Sequence, residues 1–560
     1  MGKEKLIAFH IDMNIGQFTK EYLLKWIKIL SDAGYNALVW EVENNVKWET
    51  CPECAAPEAF EKTEFKEILK ISADYGFKNI PLFQTIGHCE YVMNTGKYDH
   101  LREVPHENSK LDIHDPVLLE MVKSTGQYCS SNPDVFTFLN AWIDEYLGLF
   151  ENPEYFHIGA DEAFLLGTCE KCLERVNKKS FSDLYISHIR KLYEPLIAKG
   201  IKPIIWSDMI LKYNESLNEL SRDVYLCDWN YYNSHRFKKI WVWGKGFVEI
   251  NELPQKTVDK FGDFIFPCKD RSKVNYYYTS DFLLKNGFKV ICAPSSSCYN
   301  DTHGAIGECV FAPHEEIHPA NSFDFSQKGV KDAEGVLLTS WSVHLHPWEM
   351  QINSIFAPGY VAKESNADFN TYEAWFLKNT FGDNTEEYLS LTRLFNPACI
   401  FSYGSKIKFG LGYGKSAEEV PLEWINEKLK TIEEDDLLDE FLVETGQKLK
   451  DYQKALKGFK RLKGIAAKNV EYLEYWIFAG ELMVNRAKAV LALLESRISN
   501  AQIDKKAIKT LISECERLKN KYKNLYLKMQ KPFRADQITR WVFDSLLHEL
   551  KNLVYTENRM

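Results

Sequence analysis

The run Tyr155-Phe156-His157-Ile158-Gly159-Ala160-Asp161-Glu162 is short and apolar and ends in two adjacent carboxylates. A strand such as Phe156-Ile158 buries its side chains and has no reason of its own to finish with neighbouring acids behind a His and a Gly. Paired carboxyls can do general acid and base work. In ordinary retaining glycosidases they flank a sugar roughly 5 Å apart, one as nucleophile and one as acid. Asp161 and Glu162 leave the backbone from nearly the same point and cannot straddle a ring. If the pair is catalytic, the attacking group comes from elsewhere, and a substrate with a 2-acetamido carbonyl carries one. The bland reading is an acidic helix start over Ala163-Gly167.

A second constellation is Cys51-Pro52-Glu53-Cys54 with Cys169-Glu170-Lys171-Cys172. Two Cys-x-x-Cys pairs that meet in space make a tetrahedral thiolate zinc site, and four thiolates leave no open position for catalysis. One pair follows the second strand read below and the other the fourth, so both fall on one face of the predicted barrel. The expectation is a structural zinc joining those two loops. Unpaired thiols or a disulfide are the alternatives.

These groups need a scaffold that brings strand ends together. Apolar β-rich runs at Leu6-Met13, Ala37-Glu43, Ile80-Thr85, Tyr155-Gly159, Pro203-Asp208, Val224-Trp229, Lys289-Ala293 and Gly335-Trp341 alternate with helical patterns. Gly34, Gly76, Gly200 and Gly287 stand where helices stop. Eight such units predict a (β/α)8 TIM barrel over 1–364, with the C-terminal strand ends at one mouth. The long spacer 231–275 predicts a small excursion that walls the site. Charged, apolar-periodic stretches (427–442, 445–463, 470–494, 505–529 and 537–554) predict an all-helical C-terminal domain over 365–560. Packing against the barrel is its expected role, with a homo-oligomer interface or a donated wall of the site as alternatives.

The segment His157-Ile158-Gly159-Ala160-Asp161-Glu162 resembles the His-x-Gly-Gly-Asp-Glu signature of glycoside hydrolase family 20, the β-N-acetylhexosaminidases, and in particular its hexosaminidase D-like branch. Pro81-Leu82-Phe83-Gln84-Thr85-Ile86-Gly87-His88, continuing to His100-Leu101-Arg102-Glu103-Val104, resembles the third strand and loop of that branch. Ile205-Trp206-Ser207-Asp208-Met209 resembles its fifth strand, and Leu338-Thr339-Ser340-Trp341 its eighth. The resemblance spans about residues 5–360, in the family's motif order.

It implies an exo-acting enzyme that removes terminal β-linked GlcNAc or GalNAc with retention, through a cyclic oxazolinium, with no catalytic cofactor. Asp161 would orient the acetamido group, and Glu162 would act as acid and then base; a neighbouring carboxylate favours the protonated donor. His88 and His157 would hold these acids. Trp206, Trp229 and Trp341 would wall the sugar, and Tyr299 would bond the acetamido oxygen, with Tyr231 and Tyr232 as rivals. The family's first-strand arginine is missing from Phe9-His10-Ile11-Asp12-Met13, so His10, Asp12 and Glu43 are candidates to hold the 3- and 4-hydroxyls. Competing readings are a degenerate carbohydrate-binding barrel and a glycosidase with separated carboxylates, such as Glu43 opposite Glu162.

The chain as a whole bounds these readings. A net charge of −10 argues against nucleic acid and anionic membrane as partners. No apolar run approaches the ~20 residues that span a bilayer. The start Met1-Gly2-Lys3-Glu4-Lys5 has no export signal, which predicts a cytoplasmic protein. The 13 cysteines are expected to stay thiols or metal ligands.

Overall fold

The structure is a computed structural model that describes residues 4–106, 126–242, 245–269, 271–298, 311–342, 346–396, 422–498 and 504–555. Among the described residues eleven strands follow in chain order: β1 Leu6–Asp12, β2 Ala37–Glu41, β3 Lys78–Leu82, β4 Tyr155–His157, β5 Lys202–Trp206, β6 Tyr225–Trp229, β7 Lys239–Val242, β8 Gly246–Glu249, β9 Lys289–Ala293, β10 Ser295–Ser297 and β11 Gly335–Ser340. Eight of them pair in parallel in the order β1-β2-β3-β4-β5-β6-β9-β11. The pairing of Leu6 with Gly335 through Phe9 with Leu338 then closes β11 onto β1. The predicted eight-stranded barrel is the observed one; each strand overlaps its predicted run, with β3 starting two residues before the predicted Ile80 and ending three before Thr85.

Alternate side chains point into a barrel, because strand side chains alternate with period two. Leu6 and Ala8, Ala37 and Val39, Ile80 and Leu82, Ile204 and Trp206, Ile291 and Ala293 meet there as one buried cluster. The other set of each strand faces the surrounding helices. The helix Lys20–Ala33 shows how its ends are set: Thr19 accepts a bond from the Tyr22 N–H, and Gly34 closes the helix at φ 96°.

The spacer after β6 holds the predicted excursion: β7 and β8 form an antiparallel hairpin, followed by a helix over Gln255–Ile265. Beyond the barrel, long helices cover Leu438–Ile465, Val470–Glu495, Lys505–Tyr526 and Pro532–Tyr555. One buried apolar cluster runs from the outer barrel face into these helices, from Ile7 to Val554. The last two are also stitched to the loop after β1. Thr19 N–H donates to the Met529 carbonyl (2.9 Å), and Lys531 N–H to that of Gln17 (2.7 Å). No helix among the described residues is long and apolar enough to cross a membrane.

Barrel closure depends on a close approach behind β11 and β1. A Cβ on Gly359, in the helix Ile352–Lys363, would overlap the Ala33 carbonyl oxygen at the end of the first helix. Backbone cannot yield there as a flexible side chain would. Gly359→Ala is expected to cost about 1–3 kcal/mol by urea unfolding. A loss under about 0.5 kcal/mol, the range of ordinary surface changes, would show that this contact does not hold the closure.

Candidate active site

The inward series of each strand changes character at the C-terminal end. After Leu6 and Ala8 come His10 and Asp12; after Ala37 and Val39 come Glu41 and, past the strand, Glu43. Gln84 follows Leu82, His157 follows Tyr155, and Asp208 follows Trp206. Period two therefore lifts polar groups out of the apolar plug and into the mouth, where barrel active sites lie.

Past β4 the chain turns sharply. Gly159, Ala160 and Glu162 have φ of 62°, 74° and 43°. Left-handed backbone at non-glycine residues costs energy and persists only where the surroundings hold it. Several bonds do so: Tyr185 OH donates to the Ala160 carbonyl (2.7 Å), and Thr85 Oγ1 to that of Ile158 (2.6 Å). Glu162 N–H donates to Asp208 Oδ2 at 3.0 Å. Gly87 is needed as glycine, since a Cβ there would lie 2.8 Å from the Asp161 carbonyl oxygen. The result places both acids on one group. His88 Nε2, itself on a residue with φ 53°, lies 3.5 Å from Asp161 Oδ2 and 3.3 Å from Glu162 Oε2.

The electrostatics follow from burial. Burial works against a charged His88 imidazole, but Asp161 and Glu162 outweigh it and hold its pKa well above the ordinary value. The Asp161 pKa is raised by burial, which His88 opposes and Glu162 reinforces. Asp208 is pushed up to about 8, by burial first and then by Asp161. His157 is held neutral, its pKa well lowered by burial and by His10. It does not turn to the acids: Nδ1 accepts the Gly159 N–H at 3.0 Å, and its ring lies 4.5 Å from Trp206.

Across the mouth a second acidic group is bonded tightly. Glu41 takes His10 Nε2 on one oxygen (2.9 Å) and Gln84 Nε2 on the other (3.0 Å). Asp12 accepts from Ser342 N (2.7 Å), Ser342 Oγ (3.0 Å) and Asn14 N (2.8 Å), and its pKa rises to about 6 through burial and Glu41. Glu43 accepts from Asn14 Nδ2 (3.3 Å), and burial with Glu41 and Asp12 raises its pKa well.

Between the two groups stands an aromatic wall. Trp206 and Trp341 lie 6.1 Å apart, Tyr231 is 6.2 Å from Trp341, and Trp229 stacks on Tyr231 at 5.1 Å. Trp229 Nε1 approaches Asp208 Oδ1 at 3.5 Å. The excursion reaches this wall, since Trp241 and Phe261 line a cavity of ≈ 320 Å³ together with Asp208 and Trp229. Tyr232 turns away to Trp241 and Phe247. Tyr299 lies outside the described residues. Asp161 Oδ1, His157 Nε2, Trp206 Nε1 and Gln84 Oε1 are buried with no hydrogen-bond partner among the described residues. Buried polar atoms left this way are costly, so their convergence suits a polar ligand.

Glu41, Gln84 and Asp208 were not among the candidates from sequence. Their signal was available in the parity of the strands, since each is two residues beyond an inward apolar side chain.

The cysteines correct the expected metal set. Cys51 and Cys54 are bonded to each other as a disulfide. Cys169 and Cys172 gather instead with Cys129 and Glu103, all four ligand atoms lying within 4.8 Å of one another. The reason is topological. The loop after β3 runs between the loops after β2 and β4, and it supplies the partners that Cys51 and Cys54 were expected to be.

A family model described as "Glycosyl hydrolase family 20, catalytic domain" matches residues 8–250. The chain is 28% identical over 346 residues to hexosaminidase D of Homo sapiens, covering 60% of each. It is 27% identical over 206 residues to hexosaminidase D of Bos taurus, covering 36% of this chain and 55% of that protein. The chain thus spans about three fifths or less of the curated relatives it matches. Among solved structures, the β-N-acetylhexosaminidase of Bacteroides fragilis aligns with a TM-score of 0.43 at 17% identity, covering 67% of this chain and 69% of that one. The stretch matched by the family model runs from β1 through β8 and includes the acid pair, so the likeness falls on the barrel strands that carry Asp161 and Glu162.

Proposed function

We propose that this chain is an exo-acting β-N-acetylhexosaminidase that cleaves terminal β-linked GlcNAc or GalNAc with retention. The observation that carries the proposal is the placement of Asp161 and Glu162 on one nitrogen of His88, at 3.5 and 3.3 Å. Acids so placed stand on one side of a bound sugar. Asp161 is positioned to take the acetamido N–H and steady the charge that develops as the acetamido oxygen attacks the anomeric carbon. Glu162 gives its proton to the leaving oxygen and later takes one from water. His88 supplies positive charge beside both.

The remaining groups fit around that chemistry. Trp206 and Trp341, whose rings lie 6.1 Å apart, are the aromatic surfaces we assign to the acetamido group, with Trp229 beside them. Tyr231 is our choice for the hydroxyl that meets the acetamido oxygen, because its ring lies within this wall. His10, Asp12, Glu41 and Glu43 form the hydroxyl-binding side that the missing arginine serves elsewhere in the family. Glu43 as an enzyme nucleophile is disfavoured, since burial, with Glu41 and Asp12 beside it, raises its pKa and works against the carboxylate that would attack. The names of the curated relatives support the same activity.

The direct test compares a chromogenic β-GlcNAc glycoside with the matching β-glucoside. Cleavage of the first alone, and inhibition by a thiazoline mimic far tighter than by free GlcNAc, are expected. Equal cleavage of both would defeat substrate assistance. Glu162→Gln should lower kcat on a poor leaving group by about 10²–10⁴-fold, the usual contribution of a positioned acid.

The Asp208 proton predicts a pH effect. Above about 8 the group ionises beside Asp161 and Glu162, so kcat/KM should fall there, and Asp208→Asn should move that limb upward. Stability shares the sign. The folded pKa lies above the unfolded carboxyl value, so the native state keeps a proton that the unfolded chain gives up. That contribution to stability is therefore lost as pH rises from about 4 to about 8. Melting temperatures of wild type and Asp208→Asn should converge toward low pH; parallel curves would contradict the assignment.

A further inference from the structure

We propose that Glu103, Cys129, Cys169 and Cys172 hold one structural zinc ion, which clamps the loop after β3 to the loop after β4. All four ligand atoms lie within 4.8 Å of one another, a spacing that suits one tetrahedral ion. Cys129 Sγ lies 3.6 Å from Cys169 Sγ and 3.7 Å from Cys172 Sγ, and Cys172 Sγ lies 3.2 Å from Glu103 Oε2. Zinc bound to thiolates at about 2.3 Å in a tetrahedron separates its sulfurs by about 3.8 Å. Three cysteines from two separate loops have no packing reason to converge so closely.

The surroundings hold the ligands in place, as an outer layer of a metal site does. Glu103 Oε1 accepts the backbone N–H groups of Thr168 and Cys169, both at 2.9 Å, which leaves Oε2 turned to the sulfurs. Ser131 Oγ lies 3.1 Å from Cys172 Sγ. Three thiolates and a carboxylate around a dication leave net negative charge. Arg175 answers it, donating to the Ser130 carbonyl (3.2 Å) and to Ser131 Oγ (3.5 Å). A hard carboxylate as the fourth ligand favours zinc over cuprous ion, which prefers soft sulfur throughout.

Glu103, Cys129 and Cys172 are buried and Cys169 is part-exposed, and four protein ligands leave no position for substrate or water. The role is therefore mechanical. The loop after β3 carries His88 and ends beyond Cys129; the loop after β4 carries Asp161 and Glu162 and ends at Cys169. Other bonds already tie the same strip: Gln127 Oε1 accepts the Leu165 N–H (2.8 Å), and His106 N–H donates to the Thr168 carbonyl (2.9 Å). The ion fixes the far ends of the two segments whose near ends make the imidazole and acid triad.

The test is elemental analysis of the full chain purified without added metal, which is independent of any glycosidase assay. About one equivalent of zinc per chain is expected. Cys51→Ser/Cys54→Ser should keep it, and Cys129→Ser/Cys169→Ser should lose it. Should the second variant fail to fold, cobalt(II) exchanged into the wild-type protein reads the same ligands through thiolate charge-transfer absorption. Chelation should also lower the melting temperature of the wild type. Less than about 0.2 equivalent of metal with no cobalt band, or a disulfide between two of the three cysteines, would overturn the proposal. So would loss of metal in the Cys51→Ser/Cys54→Ser variant.

Discussion

His88 stands between Asp161 and Glu162 at the end of β4, and the mouth around it is crowded with further acids from β1, β2 and β5. Carboxyl groups withdrawn from water repel one another, and each either finds a cation, collects hydrogen-bond donors or keeps its proton. All three solutions occur here. His88 is the cation for the acid pair. Asp12 and Glu41 collect donors from Ser342, Asn14, His10 and Gln84. Asp208 and Glu43 are pushed toward the neutral form. The strained turn through Gly159, Ala160 and Glu162 exists to place two acids where one imidazole serves both.

The barrel was legible because its signal is repeated. Each strand is a short apolar run ahead of a polar break, and eight of them alternate with helical periodicity; an error in one would not disturb the rest. The acid pair was legible for the opposite reason, since two charged residues closing a buried strand have no packing use. Trp206, Trp229 and Trp341 sit at strand ends for the same positional reason. Asp208, Glu41 and Gln84 were as visible in principle, two residues beyond Trp206, Val39 and Leu82 respectively, but only once the inward parity of each strand is assigned.

Other features depend on which loops become neighbours, and local sequence does not carry that. The pairing of Cys169 and Cys172 with Cys129 rather than with Cys51 and Cys54 is of this kind. Cys129 is an isolated cysteine with no motif around it, and Glu103 stands 26 residues before it. His157 shows another limit. A histidine beside the acids in sequence serves the backbone of Gly159 in space, because strand alternation sends it to the barrel axis while the turn carries the acids outward.

The seam between residues 17–19 and 529–531 has a consequence for how the protein is made. The first barrel loop meets its hydrogen-bonding partners only after some 500 further residues have been synthesised, and β1 itself waits for β11 to close the ring. Contacts this distant along the chain delay productive folding and leave sheet edges open meanwhile. During translation the β1 edge that β11 covers therefore stays unpaired until residues beyond 335 have emerged, although β1, β2 and β3 can already pair with one another.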